Sequence, residues 1–237
     1  MATMPFTLII PAAGSGSRMG LGENKLFLPL QGAPVLWHTL RAFAGCPGLL
    51  EAILAIRPGE ELQVRQLLGE APLPVPVRLV AGGDTRQQSV LNALKAVGPE
   101  SGAVWVHDGA RPFVSPALLG RLAEALETET AVIPGVPVKD TIKRTDAAGF
   151  VTETPDRSSL WAVQTPQCFR GPQLLAAHEA AAAEGFVGTD DASLMERAGH
   201  PVRVIPGEYD NIKITTPEDL AVAVAILTKG GRKNLCG

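Results

Sequence analysis

Apolar residues along this chain come in short continuous runs separated by longer amphipathic stretches. The runs at 6–10 (FTLII), 52–56 (AILAI) and 103–106 (AVWV) lack the alternation of a half-exposed strand, so they predict buried strands, and 77–81 (VRLVA) predicts a further strand. Between them, Val35, Leu36, Leu40 and Phe43 share one face of a helix predicted over 35–44 and ended by Gly45. Further helices are predicted over 60–68 and 86–97, with a Pro-rich connector at 72–76. Ser115 as N-cap and Pro116 as first residue open another, running to 126. Strand and helix in strict alternation predict an α/β fold: a Rossmann-like, mostly parallel sheet with helices on both faces and ligands at the carboxyl ends of its strands.

From 136 the pattern changes. Two polar, β-rich segments flank the turn at Asp146-Ala-Ala-Gly149, which predicts a β-hairpin over 136–154. Its polarity leaves little to bury against its own domain, so it is expected to project as an arm, and an isolated hairpin of this kind calls for packing on another subunit. An Ala-rich helix follows over 174–184, ended by Gly185. Thr189 is the expected N-cap of a helix over 190–198, and a late strand covers 202–205. Thr216-Pro-Glu-Asp219 opens the last helix. The expectation is one domain over 1–228, including the arm, with a flexible tail at 229–237 that has no apolar period.

Composition narrows the function classes. With 237 residues, 46 % hydrophobic and 19 % charged, the chain can bury a full core, and a formal charge of −3 offers no general attraction to nucleic acid or anionic lipid. No apolar run approaches the roughly 18 residues of a membrane span. Cys46, Cys168 and Cys236 are odd in number and widely spaced, which predicts reduced thiols and a cytoplasmic protein rather than a disulfide framework or a zinc site.

The densest chemistry follows the first strand. In PAAGSGSRMG at 11–20, with Lys25 beyond, glycines permit backbone N–H groups to converge on one anion while Arg18 and Lys25 add positive charge, so the expected ligand is a polyphosphate. A turn whose glycines serve packing alone is the competing account. The dinucleotide fingerprint fails because Met19 stands where its third glycine belongs, and the second strand ends at Ile56-Arg57 rather than at an acidic ribose ligand. The ATPase loop fails because no Lys follows a glycine at the required spacing.

Elsewhere, Asp108 sits after a buried strand in His107-Asp-Gly-Ala-Arg-Pro112 and can serve a phosphate-bound Mg²⁺, with Asp210 as a second carboxylate; capping of a local turn is the alternative for each. Gly82-Gly-Asp-Thr-Arg86 with Ser89 offers a helix N-terminus to a base or ribose edge, or serves as a plain cap. His107 is as readily a neutral structural residue as an acid or base, and G-S-G-S does not match a hydrolase nucleophile elbow.

Taken together and in order, the segments at 11–20 with Lys25, GGDTRQQS at 82–89, HDGARP at 107–112, Asp140-Thr-Ile-Lys143, Thr165-Pro-Gln167, Thr189-Asp190 and Asp210-Asn-Ile-Lys213 resemble the 2-C-methyl-D-erythritol 4-phosphate cytidylyltransferases of the non-mevalonate isoprenoid pathway. The first motif alone points only to nucleotidyltransferases in general. The resemblance implies transfer of CMP from CTP to that polyol phosphate. It implies that Pro11, Ala12, Ala13, Gly14, Gly83, Asp84 and Ser89 hold the cytidine part, and that Arg18 and Lys25 stabilise charge on the triphosphate. It further implies that Asp108, with Asp210, holds Mg²⁺, and that Arg111, Thr141, Arg157, Thr189 and Lys213 serve the acceptor. Family members are homodimers that share the arm. Leu26 stands where the family often has Gln, a departure that leaves Lys25 intact. The nearest rival within this chemistry is a ribitol 5-phosphate cytidylyltransferase; from another class, a nucleotide-binding module without turnover.

Overall fold

In the computed structural model, which describes residues 4–14, 24–70 and 76–229, the apolar runs assemble into one eight-stranded sheet. The first half of the chain supplies β1 (Phe6–Pro11), the two-residue pair β2 (Pro29–Leu30) and β3 (Ala33–Pro34), α1 (Val35–Ala42), β4 (Leu49–Ile56), α2 (Glu61–Glu70), β5 (Val77–Ala81), α3 (Arg86–Leu94), β6 (Ala103–Val106) and α4 (Pro116–Leu126). The second half supplies β7 (Ala131–Pro137), β8 (Arg144–Thr145), β9 (Val151–Glu153), β10 (Trp161–Val163), β11 (Gln167–Arg170), α5 (Gly171–Ala183), α6 (Asp191–Arg197), β12 (Arg203–Pro206) and α7 (Pro217–Lys229).

The sheet runs β10-β7-β11-β6-β1-β4-β5, with β12 also on β7. β1 lies parallel between β4 and β6, and β4 is parallel to β5, so β1, β4, β5 and β6 point their carboxyl ends the same way. Only β11 and β10 run against their neighbours. The alternation of side chains along β1 explains why its sequence is apolar throughout. Phe6, Leu8 and Ile10 pack with α1, α2 and α4 on one face, while Ile9 packs on the other with α3, α5 and α6. Phe6 stacks on Trp105 of β6 with ring centroids 4.1 Å apart. Burying a side chain of this size contributes on the order of 2 kcal/mol.

Several boundaries differ from the sequence expectation. α3 stops at Leu94 instead of 97, and α5 begins at Gly171 instead of 174 because Pro172 takes a position in its first turn, where a missing N–H costs nothing. The N-cap of α6 is Asp190, not Thr189: its carboxylate accepts from Ser193 N at 2.9 Å while the Ser193 hydroxyl side chain meets the cap's own backbone. The arm starts later than 136, since Val136 and Pro137 finish β7 in the main sheet, and the hairpin proper pairs β8 with β9 beyond it. Gly149, at φ 89°, makes its turn. Lys229, expected in the tail, closes α7, and 230–237 lie outside the described residues.

Candidate active site

The carboxyl ends of β1 and β4, together with the segments after β5 and β6, surround a cleft of about 760 Å³. One wall is backbone brought unusually close. A Cβ on Gly82 would overlap the Ala13 Cβ and sit 3.2 Å from Ser89 Oγ, so only glycine fits between the exit of β1 and the start of α3. Ser89 Oγ accepts from Gly83 N at 3.0 Å and donates to Thr85 O at 2.9 Å, and Thr85 in turn caps α3 by accepting from Gln88 N at 3.1 Å. The second glycine segment is thus both a helix cap and a wall of the cleft.

Opposite it lies Asp108, 8 % exposed and surrounded by cations. Oδ1 meets Arg86 Nε at 3.3 Å; Oδ2 meets Lys213 Nζ at 2.8 Å and Arg111 Nε at 3.5 Å. Burial alone would raise this carboxyl's pKa, but the positive charges of Arg86, Lys213 and Arg111 outweigh it and hold the group well below the usual carboxylate range. Arg86, the first residue of α3, also reaches Asp191 Oδ2 at 2.7 Å, and Asp191 meets the fully buried His178 at 3.1 Å. A chain of contacting polar side chains therefore runs from the cleft to α5.

The peptide around Asp108 is tied down by neighbours far along the sequence. Asp108 N donates to Thr165 Oγ1 at 3.0 Å; that hydroxyl donates to His107 Nδ1 at 3.0 Å, leaving His107 Nε2 to donate to Arg111 O at 2.9 Å. Burial pushes His107 down to about 4, so it is neutral at physiological pH and its two ring nitrogens are spent on structure. Arg111 Nη1 donates to Asn211 O at 2.8 Å, and Lys25 Nζ donates to Ile214 O at 3.0 Å. The segment carrying Lys213 is held from both sides of the cleft.

Comparison with known proteins bears on this arrangement. The family model described as IspD, 2-C-methyl-D-erythritol 4-phosphate cytidylyltransferase, matches residues 6–229. The chain belongs to this family. It is 50 % identical over 234 residues to the 2-C-methyl-D-erythritol 4-phosphate cytidylyltransferase of Bacillus velezensis, covering 98 % of this chain and 100 % of that one. Among solved structures it is similar to the 4-diphosphocytidyl-2C-methyl-D-erythritol synthase of Anaerococcus prevotii, with a TM-score of 0.84, 37 % identity and coverage of 95 % of this chain and 99 % of that one. The cytidylyltransferase of Thermus thermophilus gives a TM-score of 0.78 at 35 % identity, covering 95 % and 100 %.

Of the residues that resemblance to this cytidylyltransferase family singled out, Pro11, Ala13, Gly14, Lys25, Gly83, Asp84, Ser89, Asp108 and Lys213 line the one cleft. Ala12 is buried behind it, and Arg111 joins through Asp108. Thr141 and Arg157 are exposed on the arm, where Arg157 Nη1 donates to Lys139 O at 2.6 Å. Thr189 and Asp210 are exposed as well and do not line the cleft. Arg18 lies outside the described residues.

Sequence reasoning passed over Arg86, Arg57 and Asn24, all of which line the cleft. Arg86 stood inside a quoted motif, yet a helix-opening arginine looks like surface charge until its two carboxylates, 83 residues apart, are seen together. Arg57 was visible at the end of the second strand only as the acid that was missing there.

Proposed function

We propose that this chain transfers CMP from CTP to 2-C-methyl-D-erythritol 4-phosphate, forming 4-diphosphocytidyl-2-C-methyl-D-erythritol and pyrophosphate for isoprenoid precursor synthesis. The observation that carries the reading is a single cleft in which the exit of the glycine loop and Lys25 face the Asp108, Arg86 and Lys213 cluster. The acceptor is a phosphate monoester with a second pKa near ~6, so at neutral pH it is largely a dianion and needs no general base. Its oxygen attacks the α-phosphorus in line; the new P–O bond forms as the α–β bond breaks, and the electron pair leaves with pyrophosphate. The chain's own work is to hold two repelling anions in line and to neutralise the charge that builds up, through Lys25, Lys213 and the guanidinium groups beside Asp108. A neutral, fully hydrogen-bonded His107 fits a reaction without proton abstraction.

The residues present fit a Mg²⁺ ion held chiefly by phosphate oxygens. Asp108 is an ionised hard donor on the cleft wall and would be its protein ligand, whereas the exposed Asp210 is not on that wall. When bound, the ion supplies charge neutralisation on the triphosphate.

The acceptor half is assembled, in this reading, by a homodimer in which residues 138–160 bring Thr141 and Arg157 to the neighbour's cleft. Support comes from Phe150 at 72 % and Val151 at 57 % exposure on an arm otherwise paired only with itself. A cytoplasmic location suits the free thiols Cys46 and Cys168 and the lack, among the described residues, of a helix long and apolar enough to cross a membrane. Pyrophosphate release from CTP is the test. It is expected with 2-C-methyl-D-erythritol 4-phosphate and at most weakly with ribitol 5-phosphate; the reverse preference, or release with neither, overturns the assignment.

A further inference from the structure

The glycine loop leaves the sheet at one point and returns at another, and the structure holds both points with the same three side chains. The last ladder bond of β1 is Ala12 N to Ala55 O at 2.7 Å. Beyond it the carbonyls of Ala12 and Ala13 have no strand to pair with, and each finds a side chain instead. Asn24, at the loop's return and 6 % exposed, donates from Nδ2 to Ala12 O at 3.1 Å. Arg57, immediately after β4, donates from Nε to Ala13 O at 2.8 Å. Glu60 joins the two: its oxygens lie 3.1 and 3.3 Å from Asn24 Nδ2, and Oε2 accepts from Arg57 N at 3.4 Å. Arg57 and Asn24 both line the cleft, and a terminal nitrogen of Arg57, Nη2, is shielded from solvent with no acceptor among the described residues.

We infer that Arg57, Glu60 and Asn24 form a positioning brace that fixes the separation of the two ends of the glycine loop and thereby the affinity for a nucleoside triphosphate. The inference rests on the cytidylyltransferase reading of the cleft. A loop whose N–H groups must converge on a polyphosphate binds best when its ends are already at the bound spacing, because ordering then costs less on binding. Lys25 follows Asn24 directly, and Asn24 Oδ1 accepts from Leu26 N at 3.2 Å, so the brace also sets the turn from which Lys25 extends. None of the three brace side chains bonds to Lys213 or Arg111, which are held by Asp108 and by the Asn211 carbonyl.

The test uses the full chain with Arg57→Ala, Arg57→Lys, Glu60→Ala and the Arg57→Ala/Glu60→Ala double variant, measuring CTP affinity by calorimetry, KM for each substrate, kcat and thermal melting. Arg57→Ala and Glu60→Ala are each expected to raise Kd and KM for CTP roughly tenfold, the scale of one lost hydrogen bond to a charged group, with KM for the polyol phosphate unchanged. The double variant should lose less than the product of the single losses, since both act on one brace. Arg57→Lys, which keeps a donor for Ala13 O, should recover most of the affinity without regaining more melting temperature than Arg57→Ala lost. An Arg57→Ala variant that binds CTP like wild type, or one whose two KM values rise together, overturns the brace. A wild-type chain that does not bind CTP overturns the cytidylyltransferase reading itself.

Discussion

The floor of the cleft and the projecting arm are built on opposite plans. At the floor, Asp108 meets three cations, and its peptide is fixed through Thr165 and His107, residues drawn from separate parts of the chain. On the arm, β8 and β9 pair only with each other, the Arg144–Glu153 ion pair at 2.7 Å is exposed at both ends, and Lys143 reaches across to Thr154 at 2.7 Å. Exposed pairs of that kind contribute little to stability. The lesson is one of timing. The floor is complete in a single chain and is ordered as the chain folds, while Thr141 and Arg157 lie exposed on the arm, so any ordering by a second surface would come only on binding.

That contrast can be broken most sharply at Asp108. Asp108→Ala leaves Arg86, Arg111 and Lys213 without their common partner in a part-buried site, so kcat/KM is expected to fall by about 10³, with a lowered melting temperature. Turnover within tenfold of wild type would mean that the cluster does not organise the reaction. The next effect is on stability. His107 binds a proton at pH 6.5 when unfolded but only near pH 4 when folded, so between those values the unfolded state holds more protons and stability falls as pH falls. The full span amounts to on the order of 3 kcal/mol, and His107→Gln should flatten that part of the denaturation profile. An unchanged acid slope would remove His107 from the structural account. Lys25→Ala is expected to lower kcat by roughly 10² with CTP still bound, because one preorganised stabiliser is lost.

The smallest change belongs to the arm. Arg157→Gln should raise KM for the polyol phosphate roughly tenfold and leave CTP binding alone. Mixing Arg157→Gln with Lys25→Ala subunits should, at low polyol phosphate, raise activity above the average of the two variants, since a heterodimer with shared arms contains one site with both residues intact; activity equal to that average would place the acceptor site within one chain.

β1, β4 and β6 were legible because each is buried on both faces and so reads as a nearly continuous apolar run, while β5, whose ends match the predicted run, is a partly buried edge strand with Arg78 within it. β7, β10 and β11 gave no such signal. β7 carries Pro134 and Gly135 in its middle, and β10 and β11 are three and four residues long, too short for a period to register. Among the site residues, those defined by local backbone, such as Gly14 and Gly83, were readable from spacing. Arg57 and Arg86 were not, because their partners lie 44 and 22 residues away for the bonds to Ala13 and Asp108, and pairing at that distance leaves no pattern in the sequence.

One contact reaches further still. Lys25 is bonded to the carbonyl of Ile214, 189 residues on, and the same short segment delivers Lys213 to Asp108 and the Asn211 carbonyl to Arg111. During synthesis from the N-terminus, strands β1, β4, β5 and β6 leave the ribosome before the segment that completes the cleft. A nascent chain can thus begin to bury its apolar core while still missing the lysine that pairs with Asp108, and the cleft is complete only once residues 211–214 have been made.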